Sequence, residues 1–371
     1  MTPLELDALT RADGTTLAQM RTELSAELHA ISPLRAWAAF ARAWATIAIG
    51  EAALWFFPLE PGVGLVWRVP VLVGLWLVVA SGMVGLFILG HDCGHDAFAG
   101  SKRLNSIVGH ICMSPIVTGF HSWRVSHNHH HARAQLRTED TDWPEKMLSR
   151  EEYARAPFGR RLEVRLAFAT PAGLAVGFIV GMVRRTFMGT LYKQVQLSPR
   201  TRRQLFFSNT MMVVVSGGIS VALYLTLGTA GLFKHYLVPV YMGMVFGALF
   251  TYLHHAGEGA LVFDRESWTP IRGQVVSTFD VRFPLWFERH FFHINRHLPH
   301  HVSPKVPWYH LPAATDALSR AYPGYHQERR FSLGYLLRAW RVPLLEPVSN
   351  AMFITSGKIE EAPESNLNPV R

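Results

Sequence analysis

Between Val69 and Gly90 the chain runs almost without a polar side chain, and that stretch restricts the possible folds more than any other. A helix crosses a bilayer with about 20 apolar residues. In lipid only a structure that satisfies its own backbone hydrogen bonds is tolerated, and a helix does so. Three further segments have the same character: Leu34 to Phe57, interrupted by Arg42, Leu205 to Gly231, and Tyr236 to Leu253. Only 17% of the residues are charged, against about 25% in soluble domains. The expected fold is therefore an all-α integral membrane protein with four transmembrane helices in two hairpins, 35–90 and 205–255. A cytosolic N-terminal arm (1–34) precedes them, and two cytosolic segments (91–204 and 256–371) form a helical cap. The run Leu166 to Val183 is read as an interfacial helix, and 104–120, with His110 and Pro115, as a surface or re-entrant segment.

Charge sets the orientation. The net charge is +9, and about 17 Lys and Arg lie between residues 91 and 204, whereas the turns at Pro58–Arg68 and Thr229–His235 hold one each. Positive charge near span ends marks the cytoplasmic side, so the central loop and both termini are expected there. The beginning of the chain has early acids and no apolar core of a signal peptide. Cys93 and Cys112 are too few for a disulfide framework or a cysteine zinc site and suit a reducing compartment. In the arm, Thr16 and Gln19 have capping-box spacing. Leu17, Met20, Leu24 and Leu28 then recur at helical intervals, as in a helix packed on the rest of the protein.

Nineteen histidines are present, and three clusters hold many of them: His91-Asp-Cys-Gly-His95, His127-Asn-His-His130-His131 and His297-Leu-Pro-His300-His301. Residues three and four apart share a helix face, so the imidazoles of each cluster are neighbours. His129 falls about 200° from His127 around the helix and is expected to point away. Pro299 is acceptable in a first helical turn. Eight converging imidazoles exceed the three or four protein ligands of one zinc site, which makes two metals the economical reading; imidazole suits iron, copper, zinc and nickel alike. His255, at the end of the last span, is the preferred ninth ligand, with His254 and His293 as alternatives. All three clusters fall on the side that the charge pattern makes cytoplasmic.

At these residues the chain resembles the membrane fatty acid desaturases, and specifically the acyl-lipid Δ12 (omega-6) and omega-3 branch, over roughly residues 60 to 320. His91–His95 resembles that family's HxxxH box, and His127–His131 and His297–His301 its two HxxHH boxes. His121-Ser-Trp-Arg124, Glu139-Asp140-Thr141 with Trp143 and Pro144, and Ser303 to Tyr309 match the flanks. The third box begins with His297 rather than Gln, and no cytochrome b5 haem motif is present, so electrons must come from elsewhere. Asp96 stands where plant relatives often carry a further histidine.

The resemblance implies two non-haem ferrous ions held by His91, His95, His127, His130, His131, His255, His297, His300 and His301. It also implies O2, a fatty acyl lipid substrate, and an electron donor such as a ferredoxin or a cytochrome b5-type carrier; no nucleic-acid partner is expected. Trp123, Trp143, Trp268 and Trp286 are candidates for the channel wall. Rival readings are another histidine-box oxygenase, such as a carotenoid ketolase or hydroxylase, and a metal transporter or sensor. The spans carry few ionisable residues of the kind that mark a transport pathway.

Overall fold

The computed structural model describes residues 2–57, 64–143, 147–169, 171–187, 196–257, 259–339, 344–348 and 351–355. Most of the expected first hairpin turn, Pro144 and the polar tail lie outside the described residues. Helices α1 (Pro3–Asp13) and α2 (Leu17–Thr22) each open on a reciprocal cap, Thr2 with Glu5 and Thr16 with Gln19. Helix α2 stops short of Leu28, which sits in a separate 3-10 turn, Ala26–His29. Leu17, Met20 and Leu24 nevertheless share one face and pack in a cluster with Leu298, Val302 and Leu311. Arg272 clamps α1 through a buried bidentate pair with Asp7, at 2.6 and 3.0 Å.

Helices α3 (Pro33–Phe56) and α4 (Leu65–Gly94) run in opposite directions against each other: Gly50 meets Val79, Gly82 meets Ile47, and Gly85 meets Ala43. Helix α4 is long and apolar enough to cross a membrane, whereas α3 is not among the helices that pass on both counts. The charges that lower its apolarity turn toward protein. Arg42 donates to the carbonyl oxygens of Arg289 and His290, both at 3.0 Å, and His235 donates to the Glu51 carboxylate at 2.7 Å.

The 104–120 run folds into α5 (Lys102–Met113) and a 3-10 turn, Ser114–Ile116, before α6 (Phe120–Arg133) carries the second histidine cluster. Helices α7 (Arg150–Arg155), α8 (Phe158–Ala169) and α9 (Pro171–Phe187) follow. The expected interfacial helix at Leu166–Val183 is thus split. Pro171 opens α9, and the two pieces meet at a bend of 115°.

The third and fourth expected spans join in one helical run, Pro199–His255, the second that is long and apolar enough for a membrane. It comprises α10 (Pro199–Leu232), a π-helical turn (Phe233–Leu237) and α11 (Val238–His255). The expected loop at Thr229–His235 is therefore helical. The chain still doubles back. The Ser216 hydroxyl donates to the Ser114 carbonyl at 2.6 Å and the Tyr236 hydroxyl to the Pro115 carbonyl at 2.7 Å, although a straight helix would separate residues 216 and 236 by about 30 Å. The reversal sits at Gly228 (φ 67°, ψ −171°), a conformation essentially reserved for glycine. Phe206, Val214 and Leu225 stay exposed on α10, and Val66, Trp67 and Val78 on α4, so much of their apolar surface is left for lipid.

Helices α12 (Leu285–His290), α13 (His297–Val302), α14 (Leu311–Ala321) and α15 (Leu333–Ala339) complete a mostly helical fold. The all-α expectation is corrected, because two small sheets are present as well. Strands β1 (Leu148–Ser149), β2 (Leu261–Val262), β5 (Leu344–Val348) and β6 (Ala351–Thr355) form a sheet in the order β1-β5-β6-β2, and β3 (Asp280–Arg282) pairs in parallel with β4 (Glu328–Arg330). Strands β1 to β4 are only two or three residues long, too short to give a period-2 signal, and Leu344–Val348 and Ala351–Thr355 do not alternate apolar with polar residues. Their use is local: β3 delivers Asp280 to the start of α13.

Candidate active site

Helix geometry explains why two of the clusters end in a doubled histidine. Neighbouring residues on a helix point about 100° apart, while i and i+4 nearly eclipse. His127 and His131 therefore face one way from α6 and His130 another; His297 and His301 face one way from α13 and His300 another. The structure uses both directions. His91, His95, His127, His131 and His300 form one group, and His130, His255 and His301 a second, which His297 joins through His255 and His301. Each doubled histidine thus serves both groups, and the imidazoles of His131 and His301 lie only 4.4 Å apart, centre to centre, where the groups adjoin.

Within each group the Nε2 atoms converge. Spacings are 3.1 Å for His91–His300 and 3.0 Å for both His300–His131 and His131–His127. In the second group His255–His297 is 2.8 Å, and both contacts from His301 are 3.1 Å. Two nitrogens about 2.1 Å from one metal stand roughly 3.0 Å apart at a right angle and about 3.4 Å apart in a tetrahedron. Spacings of 2.8 to 3.1 Å are thus close enough for the nitrogens of each group to share one metal. The buried His95 Nε2 has no hydrogen-bond partner, as expected of a metal-facing nitrogen. Burial, and then the neighbouring histidines, hold His95, His127, His131, His297, His300 and His301 well below the ordinary imidazole range. They are neutral near pH 7, the form that binds metal. The residues present fit two metal ions.

The profile of the family described as fatty acid desaturase matches residues 70–332. The chain belongs to the fatty acid desaturase family. It is 27% identical over 339 residues to an sn-1 oleoyl-lipid 12-desaturase of Picosynechococcus sp., covering 89% of this chain and 90% of that protein. An sn-1 oleoyl-lipid 12-desaturase of Anabaena variabilis is 31% identical over 264 residues (69% and 71%). A chloroplastic omega-3 fatty acid desaturase of Glycine max is 32% identical over 270 residues (69% and 56%).

In this desaturase, carboxylates hold the histidines from behind. Asp140, fully buried, accepts from His130 Nδ1 at 2.8 Å and from the Gln135 amide at 2.7 Å, and Asp142 lies 3.6 Å from the same ring nitrogen. These acids meet the nitrogen opposite Nε2, so they brace His130 and leave its metal-facing side to the second group. Asp92 stands 3.3 Å from His91 Nδ1 and accepts the Trp308 amide at 3.1 Å. Asp280 caps α13, accepting the amides of His297 and Leu298 at 2.6 and 2.8 Å, while its other oxygen lies 2.8 Å from His326. Carboxylate–histidine–metal chains of this kind fix tautomer and ring orientation. Of these acids, only Asp140 stands out in the sequence, as part of the flank of the second box. Asp92 lies inside the first box, and Asp140 and Asp142 follow His131 by nine and eleven positions, which was their available signal; Asp280 had none, because only β3 brings it there.

The remaining histidines separate. His129 turns away and contacts the Glu139 carbonyl at 2.9 Å. His293 stacks near Trp308, and His110 and His121 contact Ser208 and Ser106, all outside both groups. His254 lies outside them too. It stacks on His297 at 4.2 Å and lines a cavity of about 1060 Å³, open mouth included, that reaches His91, His127 and His297. Of the four tryptophans proposed for the channel, Trp123 alone lines this cavity. Trp143 packs on Phe168 and Tyr252, Trp268 donates to the Ala134 carbonyl at 2.8 Å, and Trp286 is exposed.

Proposed function

We propose that this protein is an acyl-lipid desaturase that introduces a cis double bond into a glycerolipid-bound oleoyl chain. Position Δ12 is favoured by the names of its cyanobacterial relatives, and an omega-3 position is the alternative within the same branch. The observation that carries the proposal is the division of nine imidazoles into two adjoining groups at the end of an apolar cavity. His91, His95, His127, His131 and His300 would hold one non-haem ferrous ion, and His130, His255, His297 and His301 the other. When bound, the iron pair supplies the reduction of O2 and the removal of two hydrogens from adjacent methylenes.

The protein's own part is orientation and exclusion of water. The carboxylate braces keep the ligands aimed, and Phe87, Trp123, Phe250 and Ile294 keep the reacting carbons in an apolar wall. Ser122, Ser126, Asp142 and Thr251 give the same cavity a polar side, suited to the chain nearer the headgroup. The stoichiometry requires two electrons and two protons from outside. A ferredoxin or cytochrome b5-type donor would supply the electrons, its acidic face steered by the basic loop.

We further propose that α3, α4, α10 and α11 are four spans in two hairpins, with the histidines on the cytoplasmic side. The inward-turned charges of α3, the reversal at Gly228 and the basic flanks support that topology. The test is expression in a host that makes no polyunsaturated fatty acids, followed by gas chromatography of its lipids. A new diunsaturated acid is expected. Unchanged lipids from correctly inserted, iron-loaded protein would overturn the proposal.

A further inference from the structure

The cavity below the histidines is not single. A second, smaller space of about 440 Å³ lies beneath it, and Val84, Phe87, Thr118 and Gly247 line both. The two spaces thus adjoin across these four residues. Met83, Ile116, Val240 and Met244 surround the lower chamber. Leu54, Val79 and Tyr236 are buried in one cluster with Met83, Ile116 and Val240 of its wall. Among the described residues Thr118 is the one polar side chain in the lower wall, and its hydroxyl already donates to the Ile116 carbonyl at 3.3 Å. That chamber offers a headgroup nothing.

Gly247 has a particular place in this wall. A Cβ built there meets no atom within 4 Å, so the position looks onto empty space. Gly243, one turn earlier on the same helix, faces α4 instead, where its Cβ would touch Ala80, Met83 and Val84 at 3.6 to 3.9 Å. The two glycines do different things. At Gly243 a side chain would make ordinary contact with α4; at Gly247 it would project into the open space between the two chambers.

We infer that Gly247 is a specificity-determining residue: the methyl end of the acyl chain passes it into the lower chamber, whose floor determines which methylenes stop beside the histidines. The inference rests on the acyl-lipid reading above. From Met83 to His91 α4 rises about 12 Å. An extended hydrocarbon advances about 1.25 Å per carbon, from ordinary C–C lengths and angles, so roughly nine carbons fit between floor and histidines. The six carbons that end an oleoyl chain beyond position 12 fit within that depth with the ligands' own reach to spare. Position is thus counted from the methyl end, and any side chain at 247 shortens the count.

The test compares wild type, Gly247→Ala and Gly247→Leu in the same polyunsaturate-free host. Membrane protein, iron per chain and double-bond position by mass spectrometry are read together. With Gly247→Leu, product from 18-carbon chains is expected to fall by about tenfold or more, since misplacing the reacting carbons by ~1 Å can cost ~100-fold. Any remaining double bond should lie nearer the methyl end, while iron content stays at the wild-type level. Gly247→Ala, which adds one methyl into open space, is expected to give a smaller change in the same direction. It decides the matter if the leucine variant fails to accumulate. Wild-type yield and position in an iron-loaded Gly247→Leu, or in Gly247→Ala where the leucine variant is lost, overturns the inference and leaves the desaturase reading standing. Absence of any new double bond from the iron-loaded wild type overturns that reading and this inference with it.

Discussion

Replacing Asp140 by asparagine tests whether a residue that touches no substrate governs half of the metal centre. The carboxylate is fully buried and accepts from His130 Nδ1 (2.8 Å), the Gln135 amide (2.7 Å) and the Asp142 amide (3.0 Å). Asparagine keeps the shape but turns one acceptor into a donor. If its NH2 group faces His130, the ring must accept at Nδ1 and carry its proton on Nε2, where no metal can then bind. If it faces Gln135 instead, two donors meet in a dry interior, a mismatch that costs about 1–3 kcal/mol. Loss of such a brace typically weakens metal binding about 10–100-fold, or roughly 1.4–2.8 kcal/mol at 1.4 kcal/mol per decade. His130 belongs to the group with His255 and His301, so D140N should empty that group and spare the one around His131. Iron per chain, measured by plasma emission on detergent-purified protein, should fall toward about half of the wild-type value at limiting iron. Desaturation should fall with it. Full iron occupancy and full product from D140N would show that His130 needs no carboxylate to aim it, and the account of the braces would fail.

Four other expectations follow from the same structure. His130→Ala and His300→Ala remove a ligand from different groups, and each should reduce product by more than about a hundredfold while membrane insertion is unchanged; product near wild type from both would remove the case for a two-metal centre. Asp7→Ala strips the buried Arg272 guanidinium of its carboxylate and should cost about 3–5 kcal/mol, read as a lower thermal midpoint; a loss under about 0.5 kcal/mol, the range of an ordinary surface change, would contradict that role. Gly228→Ala forces a side chain into a conformation worth about 1–3 kcal/mol of strain and should lower the yield of folded protein in a fluorescence-detected size-exclusion assay, whereas an unchanged profile would place the reversal elsewhere. Stripping metal with a chelator should lower the melting temperature, because a ligand at 1,000 times its Kd adds about 4 kcal/mol to the folded state; identical melts before and after would argue against occupied sites.

Particular residues show how far the site could be seen in advance. The i, i+3, i+4 spacing of His127, His130 and His131 marked them as neighbours, yet α6 sends His130 to one group and its two companions to the other. That division is implicit in a 100° step, but it has meaning only once α13 supplies the opposing ring of each set. His254 and His255 are indistinguishable by composition; the rotation of α11 turns His255 toward His297 and His301 and His254 toward the cavity. Asp280 lies seventeen positions before His297, and nothing local links them until β3 pairs with β4. Arg42 reads as an interruption of a span, whereas its partners, and that of Glu51 in the same helix, lie on other elements and remove much of that cost.

Two kinds of information therefore divide cleanly. Periodicity and hydropathy are properties of adjacent residues, so the chain alone determined its apolar helices, the Thr16–Gln19 cap and the three histidine clusters. Contacts between remote segments depend on how helices rotate and where they cross, which no local pattern encodes. Only the tertiary structure decided which imidazole joins which group, which acids brace them, and that Gly247 lines both apolar spaces between α4 and α11.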